Sequence, residues 1–116
     1  MSKFQEAVET YVGEMKKLGI SGISEDLISA VAKGLGPSIY NTDSSKVSCS
    51  DDSELGRVKT NFLIKKLGLK DGPDLDAAIK EVCETMGSSN RNKYRAIFYA
   101  LLVKKFGKES VYSSAS

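Results

Sequence analysis

Arg91, Lys93 and Arg95 fall in the first turns of a helix expected from about Asn90 to Phe106. The dipole there is already positive, so three cations at that end are unfavourable for the helix alone. The serines and Asn90 of Gly87-Ser-Ser-Asn-Arg-Asn-Lys-Tyr-Arg95 supply hydroxyl and amide donors beside them. Free N–H groups, hydroxyls and guanidinium forks converging at a helix start suit a phosphate or carboxylate. Ser88, Ser89, Asn90, Arg91, Lys93 and Arg95 are therefore the candidate anion site. The competing reading pairs these bases with acids elsewhere in the chain, and charge is distributed to allow it. From Ser88 onward six bases meet one acid, a local +5, and the remainder carries −3 for a net +2.

Nucleic-acid binding would extend the same feature, with Tyr94 and Tyr99 stacking on bases. It is not the expected partner. The net charge is small, and the pI of about 8.5 is low for a basic binding domain.

Other chemistry is narrowed by composition. There is no histidine, which removes the commonest general base near neutral pH and any Ser/His or Cys/His pair within one chain. The two cysteines, Cys49 and Cys83, are too few for a structural zinc site, so no metal is expected. Cys83 sits at an apolar helix position, where cysteine behaves as a small hydrophobe. Both thiols are expected to be reduced. Asp71, Asp74 and Asp76 do not fit a calcium loop, because Gly72 comes second rather than sixth and Val82 stands where the closing glutamate belongs. Acids beside Pro73 suit a helix start instead. Asn41, Asp43, Asp51 and Asp52 read as turn and capping residues. Gly34-Leu-Gly-Pro37 has no preceding strand, and Pro37 lacks an N–H that a phosphate loop needs. No catalytic residue and no cofactor is assigned, and an enzyme using carboxylate or lysine chemistry ranks last.

Five helical segments must position these residues. The expected spans are about Lys3–Leu18, Glu25–Lys33, Asp52–Leu67, Pro73–Met86 and Asn90–Phe106. Phe4, Val8, Tyr11, Val12 and Met15 make one apolar face of the first. Ser2, Ser24, Asp51 and Ser88 or Ser89 are expected caps, and Pro73 suits a first helical position. Lys-Lys-apolar-Gly closes three segments, at Gly19, Gly68 and Gly107. Lysines complement the negative helix end, and glycine takes the left-handed cap. Residues 36–50 form a long connection, unusual in a compact domain. Ile39, Tyr40, Val47 and Cys49 are expected to pack it inward.

The run Ala96–Val103 is apolar on every side, so its helix is either central or half-covered by a second subunit. Ala96, Tyr99, Ala100 and Val103 are the interface residues of the homodimer that the second case requires. The whole is an all-α domain over 1–112, a single compact bundle of about five helices, with 113–116 as a tail. The eight apolar residues of that run fall far short of the roughly 20 that span a bilayer, so no membrane association is expected. Met1-Ser-Lys-Phe-Gln-Glu6 runs into a charged amphipathic segment rather than a secretory leader. The expected compartment is the cytoplasm.

Particular strings resemble a known family: Gly34-Leu-Gly-Pro-Ser-Ile-Tyr-Asn41, Phe62-Leu-Ile-Lys-Lys-Leu-Gly-Leu69, Ser89-Asn-Arg-Asn-Lys-Tyr-Arg-Ala96 and Gly107-Lys-Glu-Ser-Val-Tyr112. The chain is similar, from Ser2 to Tyr112, to the small bacterial domain-of-unknown-function family 2853. The resemblance implies a bacterial, stand-alone helical domain and no particular activity. A non-enzymatic protein-interaction module is the leading expectation.

Overall fold

The first helix ends where its sequence says it must. In this computed structural model, which describes residues 3–20, 22–41, 46–87 and 93–112, α1 spans Lys3–Lys17 and buries Val8, Tyr11 and Met15. Gly19 (φ 74) turns the chain left-handed, and the Ile20 N–H reaches back to the Met15 carbonyl at 2.9 Å. That bond satisfies a carbonyl the helix end would otherwise orphan. Gly68 (φ 72) and Gly107 (φ 64) take the same conformation after the other two Lys-Lys-apolar triplets.

Helix α2 covers Glu25–Leu35, two residues beyond the expected end, with the Ser24 hydroxyl accepting from the Leu27 N–H at 3.1 Å. A 3-10 turn, Gly36–Tyr40, follows directly. Helix α3 spans only Asp52–Arg57, capped by the Asp51 carboxylate on the N–H groups of Ser53 and Glu54. The expected single helix to Leu67 then changes character, because Val58–Ile64 winds as a π-helix. Its wider turns are seen in the bonds from Lys65 N–H to Thr60 and from Leu67 N–H to Phe62, five residues back. Val58, Phe62, Leu63 and Leu67 all reach the core. Helix α4 spans Pro73–Met86, with Pro73 in its first turn as expected.

Helix α5 runs Arg95–Lys105, which corrects the expected start near Asn90. Residue 94 is extended (φ −58, ψ 132) and pairs with Lys46 in an isolated antiparallel bridge. A helical backbone there could not make that pairing. The expected caps Ser2, Ser88 and Ser89 lie outside the described residues, as does the 113–116 tail. A last 3-10 turn covers Glu109–Val111.

The architecture is all-α. Among the described residues the only β-type pairing is the Lys46–Tyr94 bridge. Helix α5 is central, packed by α1, α2 and α4. Ala96, Ile97, Phe98, Ala100, Leu102 and Val103 are wholly shielded from solvent. Burying a side chain the size of Phe98 or Leu102 contributes roughly 1.5–3 kcal/mol, so this helix anchors the bundle. The all-round apolar run is thereby satisfied within one chain. No helix among the described residues is long and apolar enough to cross a membrane.

Candidate binding face

The end of the long connection, at Lys46 and Val47, is stitched to the start of α5. The Val47 N–H donates to the Lys93 carbonyl at 2.8 Å, and Val47 is buried among the core side chains. Two stretches that look unrelated in sequence, 46–47 and 93–95, therefore form one surface.

Arg95 is the hub of that surface. Its guanidinium donates to the Tyr99 hydroxyl at 3.1 Å and to the Lys46 carbonyl at 3.3 Å. It also pairs with the Glu54 carboxylate, 41 residues away in sequence. Both side chains of the pair are mostly shielded, at 16% and 13% exposure. Burial opposes the charge on Arg95, but its bonds to Tyr99 and Glu54 outweigh this and hold its pKa above the ordinary arginine value. Tyr99 in turn stacks on Phe62 of the π-helix, with ring centroids 3.9 Å apart and planes 16° from parallel. One residue thus links α5, α3, the connection and the π-helix.

This arrangement changes the expected anion site. Arg95 is paired with an acid, the competing reading of the sequence. Lys93 precedes the helix and is buried, at 7% exposure. Ser88, Ser89, Asn90 and Arg91 lie outside the described residues. The stacking role considered for Tyr99 has no room, because its ring is buried against Phe62. The interface residues Ala96, Tyr99, Ala100 and Val103 are buried inside their own chain, at 0%, 8%, 0% and 0% exposure. The feature that called for a second subunit is met by α1, α2 and α4 instead.

A tyrosine cluster borders the hub. Tyr11 and Tyr94 meet edge to face, with centroids 5.3 Å apart. The Lys46 ammonium stands 5.6 Å from the Tyr94 ring centre, within reach of the ring's negative face. Tyr11 is pushed up to about 12, first by burial and then by the neighbouring Tyr94 and Tyr40. Tyr40 was expected to anchor inward with Ile39. Only Ile39 does so, at 8% exposure, while Tyr40 presents 49% of its surface to solvent. A five-residue 3-10 turn cannot turn both neighbours toward the core.

Several other chemistry-bearing residues find structural partners. The Lys59 ammonium lies between Asp71 and Asp76, at 2.8 and 3.0 Å. Hydrogen bonds to those carboxylates raise the Lys59 pKa, and the same contact lowers that of Asp71. Asp51 caps α3, as expected. Asp43 is outside the described residues. Cys49 and Cys83 are joined in a disulfide with Cα atoms 6.0 Å apart, which corrects the expectation of two reduced thiols. Cys83 does occupy the core position read for it, at 8% exposure. What the spacing of 34 residues could not reveal is that the fold returns residue 49 to that helix.

The family model described as "Protein of unknown function (DUF2853)" matches residues 10–110. The chain belongs to that family. A comparison with curated proteins finds no significant match.

Proposed function

We propose that this DUF2853 member is a bacterial, cytoplasmic, non-enzymatic protein-interaction module that grips an acidic segment of a partner protein through Tyr40, Tyr94 and Lys46. The observation that carries the reading is Tyr40, half-exposed beside a packed tyrosine cluster. Tyrosine is enriched in protein interfaces because it offers a large, rigid apolar ring and a polar tip. The Lys46 ammonium favours carboxylates in the partner, and the bond from Val47 to Lys93 holds Lys46 in place before binding. A homodimer through Ala96, Tyr99, Ala100 and Val103 is not carried forward, since those side chains are already covered.

Photo-crosslinking in living bacteria tests the reading, with benzoylphenylalanine replacing Tyr40 and, as a control, the outward-facing Glu84 of α4. The expected result is a discrete crosslinked protein from position 40 that is absent from position 84 and lost on Lys46→Glu. Identical products from both positions, or products indifferent to Lys46→Glu, contradict the proposal.

A further inference from the structure

We propose that the Cys49–Cys83 disulfide is a reversible redox lock that fixes the start of α3 against α4. The disulfide opens into a surface groove of about 440 Å³ floored by Leu55 and Ile79 and rimmed by Asp52 and Lys80. Cys49, at the end of the connection, is half-buried, whereas Cys83 lies in the core. A reductant therefore meets the Cys49 sulfur first. Three charged side chains line the groove: Asp76, held by Lys59 at 3.0 Å, Asp52, and Lys80, which stands one turn before Cys83 on α4 and is the cation among them that can stabilise the departing thiolate.

The reductant is a dithiol. Its first thiolate attacks the Cys49 sulfur, forming a mixed disulfide and breaking the Cys49–Cys83 bond. Cys83 leaves with the electron pair and takes a proton from water. The second thiolate of the reductant then attacks the mixed disulfide and releases Cys49, which is protonated in turn. The reductant departs as its own disulfide, so two electrons pass to the protein.

What the lock holds is the least buried of the five α-helices. None of the six residues of α3 is fully buried. Beyond its continuity with the π-helix, α3 is tied by the disulfide two residues before its cap, the Glu54–Arg95 pair and the half-buried Leu55. Residues 48–57 are thus poised to open locally when the covalent tie is cut, while the core around α5 stays closed. That the lock cycles in the cell rests on the cytoplasmic part of the reading above, because disulfides in that compartment are mostly transient or redox-sensing. The opening itself depends on no binding partner.

Amide hydrogen exchange of the purified full chain tests it, with and without dithiothreitol. Reduction is expected to accelerate Ser53 and Glu54 at least tenfold through an opening nearly indifferent to low urea, while Phe98 and Leu102 still exchange only through the urea-sensitive global unfolding. Peptide mapping after brief treatment with glutathione is expected to find the adduct on Cys49, and less of it in Lys80→Gln. Unchanged exchange at Ser53 and Glu54 overturns the proposal, as does exchange there with the same rate and urea dependence as at Phe98, which marks a global staple. Thiols that alkylate without any reductant overturn it too. Each of these failures leaves the Tyr40 crosslinking result standing or falling on its own.

Discussion

Replacing Glu54 with glutamine tests the hub at Arg95 with little change of shape. Arg95 would keep the Tyr99 hydroxyl and the Lys46 carbonyl but lose the Glu54 charge beside it. Unit charges about 4 Å apart attract by roughly 4 kcal/mol at an effective dielectric of 20. Desolvation offsets part of that, yet leaving a fully buried partner unpaired costs about 3–5 kcal/mol. Side-chain exposures of 16% and 13% admit some water, so about 2 kcal/mol is expected for Glu54→Gln. Arg95→Met should cost a similar amount, because Glu54 retains the exposed Arg57 at 3.0 Å. Urea unfolding of both single variants and the double variant measures the coupling. The double variant should lose about 1–2 kcal/mol less than the sum of the singles. Additive losses, or a Glu54→Gln cost below roughly 0.5 kcal/mol, would refute the hub as a stabilising pair.

Three further outcomes follow from the same packing. Tyr11 and Tyr112 are each pushed up to about 12, chiefly by burial, so the fold holds their neutral forms. Their contribution is complete below pH 10, the unfolded value, and is lost as pH rises toward 12. About 2 kcal/mol each should disappear over that window, and Tyr11→Phe should roughly halve the loss seen in urea midpoints. Phe98→Ala should cost about 3–5 kcal/mol in the same assay, since its ring is wholly shielded at the centre of the bundle. Removing the disulfide with Cys49→Ser and Cys83→Ser together should cost up to about 4 kcal/mol. That figure is the loop-closure entropy for the 34-residue separation, and calorimetry of the oxidised parent against the variant would measure it.

Much of the bundle is legible in the sequence because its signals are local. Ser24, Asp51 and Pro73 mark helix starts within a few residues of themselves, and the Lys-Lys-apolar-Gly ends do the same. The apolar spacing of α1 and α4 identifies their buried faces. The features that local sequence signals do not carry are set by contacts between distant residues. The start of α5 moves to Arg95 because residues 93 and 94 are drawn into extended pairing with 46 and 47. Nothing near Asn90 announces that. The π-helix has apolar residues whose spacing also satisfies an α-helix, so its wider winding is invisible until Phe62 must meet Tyr99. Arg95 looks like one of three available cations, and only the fold brings Glu54 to it. Cys83 reads as a core residue and is one, but its bond to Cys49 depends on where the connection lands. Tyr40 reads as inward by its apolar character, but the short 3-10 turn gives the inner position to Ile39.

The binding reading and the lock both depend on the connection being part of the folded structure. Exchange of the Val47 amide in the oxidised protein measures this most directly. Its bond to the Lys93 carbonyl and its buried side chain predict protection comparable to that of the α5 core amides. Exchange at the rate of an open loop would contradict the account.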